Sequence, residues 1–164
     1  MKPKLILIGG EAWTGKSTCA EILYRRLNNS AWLDGDDVWR VNPWSLDDPR
    51  LRTSDVNMAF VLQTYLQSRF DYVILSSIVL SEPAITARIL ERIQGVDYTL
   101  ISITLMCDAA TLAERARLRD ENVDPCFLLL ERTRSLTDTL KIDTAGKTPE
   151  MVVEEMLAVI QGVK

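Results

Sequence analysis

The chain has 164 residues, 47% apolar and 26% charged, with a formal net charge of −4, which suits one α/β-sized domain over 1–164 with a full hydrophobic core. The acidic balance argues against nucleic acid as a partner, since nonspecific binding needs a basic footprint, and no apolar run reaches the length of a membrane span. The absence of histidine excludes Ser-His-Asp, Cys-His and histidine-metal chemistry; three cysteines without a CxxC pair suggest neither a disulfide framework nor a zinc site, and the expected location is the cytoplasm.

The first predicted strand is Lys4–Ile8, and the sequence GGEAWTGKST follows it at once. Gly10, Glu11, Ala12, Trp13, Thr14, Gly15, Lys16 and Ser17 satisfy GxxxxGK[ST]. The match stands where such a loop works, after a strand and at the start of a helix. Glycines there let successive N–H groups turn inward, and these join the helix N-terminus in binding phosphate oxygens. Residues Gly10 to Thr18 are therefore the expected nucleotide-binding segment. Lys16 is expected to reach the β- and γ-phosphates, and Ser17 to ligate Mg²⁺. The helix that follows carries Ala20, Leu23, Tyr24 and Leu27 at i, i+3, i+4, i+7.

A second strand, Ala31–Leu33, ends in Asp34-Gly35-Asp36-Asp37. Ligands of open α/β sheets bind outside the carboxyl ends of the strands, so these carboxylates share an edge with the glycine-rich loop. Asp36 is the candidate to hold, and deprotonate, an acceptor hydroxyl. Asp34 is the candidate for the Mg²⁺ shell. Residues 42–55 are polar and lie near this edge; Trp39 and Trp44 are candidates to wall a pocket there, although aromatic residues more often serve packing.

The next helix presents Met58, Val61, Leu62, Tyr65 and Leu66 on one face. The third strand, Tyr72–Leu75, runs into Ser76-Ser77, with no carboxylate where many proteins of this loop type carry a Mg²⁺ residue. A helix with Ile85, Ile89 and Ile93 follows, then a strand over Tyr98–Met106. Asp108 is the predicted N-cap of a helix that carries Arg115, Arg117 and Arg119. If that stretch is helical, Arg115 and Arg119 share a face at i, i+4. The charged run 118–124 and Arg132 and Arg134 come next. The fifth strand, Leu140–Ile142, leads into Asp143-Thr144-Ala145-Gly146. This DxxG sits after the last strand, and no NKxD motif occurs, so a GTPase is not indicated; the loop is placed to border an adenine. Thr148 and Pro149 cap the last helix, where Val153, Met156, Leu157 and Ile160 are in phase. Strand–helix alternation of this kind builds a parallel sheet covered on both faces.

GGEAWTGKST followed by LDGDDVW resembles the small P-loop kinases of metabolites, among them shikimate, gluconate and adenylylsulfate kinases and chloramphenicol phosphotransferase. The resemblance extends over nearly the whole chain. It implies a P-loop NTPase three-layer fold with a five-stranded parallel sheet and a mobile lid, here at about 115–132. It also implies ATP and Mg²⁺ as cofactors and a small-molecule hydroxyl as acceptor. Lid arginines of that family close over ATP, which makes Arg115, Arg119 and Arg132 catalytic candidates beside Lys16, Asp34 and Asp36. The alternatives are an ATP-binding regulatory or toxin-like module with little turnover, and a nucleoside or nucleotide kinase. The sequence specifies neither the acceptor nor an oligomeric state. Glu11 and Trp13, in the variable part of the motif, are expected to face the acceptor pocket.

Overall fold

A computed structural model describes residues 2–43, 45, 48–119 and 127–162, with Arg52 described by its backbone only. Five strands form one open, all-parallel sheet in the order β2-β3-β1-β4-β5. They are β1 (Lys4–Gly10), β2 (Ser30–Asp34), β3 (Tyr72–Ser76), β4 (Thr99–Met106) and β5 (Leu140–Asp143). All five expected strands are present. β1 runs two residues beyond the apolar stretch, because Gly9 and Gly10 pair with Thr104 and Leu105 of β4. Parallel strands need crossovers, and five helices lie in them: α1 (Lys16–Arg26), α2 (Ser54–Gln67), α3 (Pro83–Arg92), α4 (Ala109–Arg119) and α5 (Leu130–Ser135); a sixth, α6 (Pro149–Gly162), follows β5.

The sheet is covered on both faces, so alternate residues of β1 are buried in different clusters. Ile6 and Ile8 pack with Leu23 of α1 and Met156 and Ile160 of α6. Leu5 and Leu7 pack with Met58 and Leu62 of α2 and Ile89 of α3. That two-sided burial is why the central strands β1 and β3 read as continuous apolar runs rather than as alternating ones. The helical spacing in α1 is met only in part. Ala20 and Leu23 are buried, but Tyr24 lies over the ring of Trp32 and is 38% exposed.

Two expected caps are formed. The Asp108 carboxylate accepts from the backbone N–H of Thr111 at 2.8 Å, and Thr148 opens α6 with Pro149 in its first position. Three short 3₁₀ turns, Gly35–Val38, Pro49–Thr53 and Ile78–Ser81, and the six-residue α5 carry no periodic signal in the sequence. A third apolar cluster of Cys107, Leu112 and Leu130, joined by Trp13 and Phe127, sits between α4, α5 and the loop after β1. Residues 120–126, the middle of the expected lid, and Trp44 lie outside the described residues. Among the described residues, no helix is long and apolar enough to cross a membrane.

Candidate active site

The strand order turns back at β1, with β2 and β3 to one side and β4 and β5 to the other. A crevice at the carboxyl ends of the strands is thereby set at the end of β1, where α/β sheets bind ligands. The loop after β1 fills that position. Gly10 has φ 139°, and a Cβ there would lie 2.5 Å from the carbonyl oxygen of Leu105. No other residue type fits so close to β4. Gly15 caps α1 without a side-chain hydrogen bond, and no acidic residue occupies the first turn of the helix. The unpaired N–H groups of that turn and the helix dipole therefore meet no competing carboxylate.

Lys16 is half-buried, and its Nζ donates to the carbonyl oxygen of Glu11 at 2.8 Å. Burial pulls its ammonium down to about 8, against the attraction of Glu11, Asp36 and Asp34. A desolvated cation ringed by carboxylates is a site for an anion that brings its own metal ion. A cleft of about 520 Å³ opens over the loop. Lys16, Ser17 and Thr18 line one side of it, with Ala12, Trp13 and Gly15; Asp34, Asp36 and Arg119 line it too.

Asp34 is held from two directions. Its Oδ1 accepts from the N–H of Asp36 at 3.1 Å, closing the 3₁₀ turn. Its Oδ2 faces the hydroxyl of Ser76 at 3.4 Å, and the indole N–H of Trp32 donates to that same hydroxyl at 3.0 Å. Asp34 and Ser76 are register partners on β2 and β3. The strand-three position that lacks a carboxylate is thus occupied by a serine that orients the carboxylate of the neighbouring strand. Gly35 is required next to it, because a Cβ there would sit 2.4 Å from the Ser77 hydroxyl. Asp37, also exposed, pairs with Arg40 at 2.6 Å, whereas Asp36 lines the cleft.

The three candidate arginines are placed differently. Arg119 reaches the main cleft. Arg115 is half-buried and clamps the loop after β5: it donates to the hydroxyl of Thr144 at 3.0 Å and to its carbonyl at 2.7 Å. Its Nη1 also lies 3.4 Å from the carbonyl of Trp13. With Trp13, Thr144 and Lys147 it lines a separate pocket of about 230 Å³, floored in part by Thr18 and Cys19. The Cys19 thiol there is buried and pushed up to about 11 by desolvation, as suits packing rather than redox chemistry. Arg132 forms an ion pair with Glu82 and lines a different cleft, between α3 and β4.

Of the two variable residues of the loop, Glu11 turns inward rather than toward a ligand, and Trp13 is only partly turned to the cleft. Glu11 is only 2% exposed, and its carboxylate accepts from the N–H of Ala12 at 2.8 Å and of Leu129 at 2.7 Å. Trp13, at φ 59°, packs edge-on against Phe127 with ring centroids 6.2 Å apart, although its edge still borders the main cleft. Both residues tie the loop to the segment that enters α5. Ser76, Trp32 and Thr144 are the supporting residues that motif reading misses. The one available signal was the serine at the strand-three position, opposite Asp34 only once the strand order is known.

No family model matches the sequence, and neither does any curated protein. Solved structures do match. The tunicamycin resistance protein of Deinococcus radiodurans superposes with a TM-score of 0.74 at 23% identity, over 100% of this chain and 98% of that one. A gluconokinase from Sinorhizobium meliloti 1021 gives 0.71 at 23% identity, over 97% and 92%. The APS kinase of Mycobacterium tuberculosis, solved with AMPPNP and APS, gives 0.72 at 13% identity, over 98% and 99%. This chain therefore has the fold of the P-loop small-molecule kinases.

Proposed function

We propose that the chain is an ATP-dependent kinase that transfers the γ-phosphoryl group to a hydroxyl of a small molecule. The observation that carries this reading is the single cleft that brings Lys16 and Ser17 together with Asp34 and Asp36. Phosphoryl transfer needs a positioned donor and acceptor and charge stabilisation, with little covalent help from the protein. The chain offers each part. The loop from Gly10 to Thr18 and the N-terminus of α1 cradle the phosphates. Lys16 meets the charge on the transferred group, and Arg119, on the cleft wall, is the second cation for it.

The donor set fits Mg²⁺, a hard cation that takes oxygen ligands and keeps several waters. Ser17 and Asp34 would hold it, with Ser76 orienting Asp34. When bound, Mg²⁺ supplies charge neutralisation on the phosphates. Asp36 accepts the proton of the acceptor hydroxyl and orients its oxygen. Arg115 acts at a distance from the transferred group: it fixes the Thr144 loop and walls the smaller pocket, which suits an adenine. Arg132, paired with Glu82, lines another cleft and takes no part in this scheme. A lid about residues 115–132 excludes water, the competing acceptor. The reading is tested by titrating the protein with ATP and Mg²⁺ in a calorimeter. Mg²⁺-dependent binding of ATP, lost in Lys16→Ala, supports it; no binding, or equal binding by Lys16→Ala, refutes it.

A further inference from the structure

The phosphate loop and the opposite wall of the main cleft are joined by a route that runs outside the cleft. Glu11 begins it. Its carboxylate is buried and accepts from two backbone N–H groups, that of Ala12 in the loop at 2.8 Å and that of Leu129, the N-cap of α5, at 2.7 Å. Both partners are donors, so a carboxylate serves both, whereas a glutamine would turn its NH₂ toward one of them. One turn along α5, Arg132 pairs with Glu82. Glu82 is the N-cap residue of α3, and its carboxylate makes no capping hydrogen bond there. Its N–H donates to the carbonyl of Val79 at 3.0 Å and so closes the 3₁₀ turn Ile78–Ser81. Ile78 of that turn lines the main cleft beside Ser76 and Ser77.

We propose that Glu11, α5 and the Arg132–Glu82 pair couple the two halves of the site, so that nucleotide on the phosphate loop orders the turn 78–81 on the acceptor side. The inference rests on the kinase reading and adds to it. The Lys16 ammonium donates to the carbonyl of Glu11 at 2.8 Å. A triphosphate takes that ammonium and the loop N–H groups, and fixes the loop. The Glu11 side chain bridges the loop and Leu129, so a loop held by ligand resists opening at Leu129 as well. α5 carries the restraint to Glu82 through Arg132. Reciprocity then requires that an acceptor which orders the turn tightens nucleotide binding by the same factor. The pair is partly exposed, so the coupling is weak, about two- to fivefold. Glu11, Arg132 and Glu82 are positioning residues in this route. A shorter route runs beside it, since a Cβ at Gly9 of β1 would lie 3.2 Å from that of Leu80.

Amide hydrogen exchange of the full chain, with and without saturating AMPPNP and Mg²⁺, separates the two routes. A merely structural role shifts exchange alike in both states, whereas coupling changes the response to nucleotide. In the unsubstituted protein we expect nucleotide to slow exchange at Leu129, Val79 and Glu82 by about two- to fivefold. In Arg132→Gln the slowing at Leu129 should persist and that at Val79 and Glu82 should vanish. In Glu11→Gln all three responses should vanish. Arg132 is half-exposed, so its variant decides the matter even where Glu11→Gln does not fold. Slowing at Val79 and Glu82 that is unchanged in Arg132→Gln overturns the proposal in favour of the Gly9 contact. Absence of any slowing with nucleotide bound overturns it too, and both results leave the kinase reading standing. Failure of AMPPNP to bind overturns the kinase reading itself, and the coupling falls with it.

Discussion

Replacing Lys16 by methionine is expected to stabilise the protein while abolishing nucleotide binding. The ammonium is held at about 8 instead of 10.5, with desolvation as the largest cause. At 1.36 kcal/mol per pH unit that gap amounts to about 3 kcal/mol against the charged form. Lys16 keeps some contact with solvent, so we discount the figure to about 1–2 kcal/mol. Methionine retains the unbranched stem and loses the charge. The Glu11 carbonyl is not orphaned by the change, because the Thr14 hydroxyl also donates to it at 2.8 Å. For a domain of this size the gain corresponds to about 2–8 °C in Tm at neutral pH. The pH dependence has a definite sign. Between about 8 and 10.5 the unfolded chain binds a proton at Lys16 that the folded chain has lost. The stability of the unsubstituted protein, relative to Lys16→Met, therefore rises across that window, and the difference between the two shrinks. Thermal melts of both proteins without nucleotide at pH 7 and pH 10 measure it. A Lys16→Met protein that melts lower at pH 7, or a difference that does not change with pH, would refute the argument.

Three further substitutions probe the supports of the site. Glu11→Ala removes the acceptor of the Leu129 N–H, so we expect a loss of about 1–3 kcal/mol and faster hydrogen exchange at that amide; unchanged exchange would contradict the strut between the phosphate loop and α5. Asp36→Asn should lower kcat by about 10²–10⁴-fold while ATP affinity is kept, and an equal loss of ATP affinity would move Asp36 to a nucleotide role. Ser76→Ala should raise the Mg²⁺ concentration for half-maximal activity by about tenfold, because Asp34 loses its orienting partner; an unchanged Mg²⁺ requirement would show that Asp34 needs no such support.

What could be read from the sequence was what chemistry writes locally. The phosphate loop is a contiguous motif whose glycines and lysine have fixed offsets, so Gly10 to Thr18 could be assigned from spacing. The central strands β1 and β3 were legible because burial on both faces leaves unbroken apolar runs, and α6 because its caps and its apolar stripe agree. The support of the site was not legible, since it depends on contacts between distant segments. Glu11 meets Leu129 across 118 positions, and Arg115 meets Thr144 across 29. A glutamate inside a phosphate loop looks free to face a ligand until the fold brings an N–H group to it. The serine at the end of the third strand looked like a missing ligand. It became an orienting residue once β2 was seen to pair with β3. The different placement of the arginines was not legible for a related reason: helical spacing puts Arg115 and Arg119 on one face, but Arg115 is engaged by Thr144 while Arg119 lines the cleft.

The central claim is transfer of a phosphoryl group from ATP to a small hydroxyl compound. The most direct measurement follows label from γ-³²P-ATP into organic phosphate, over a panel of sugars, nucleosides, shikimate derivatives and antibiotics, with Lys16→Ala beside the unsubstituted protein. We predict a labelled phosphate ester with at least one acceptor, formed by the unsubstituted protein and not by Lys16→Ala. Label that appears only in inorganic phosphate, or an ester formed at the same rate by Lys16→Ala, would contradict it.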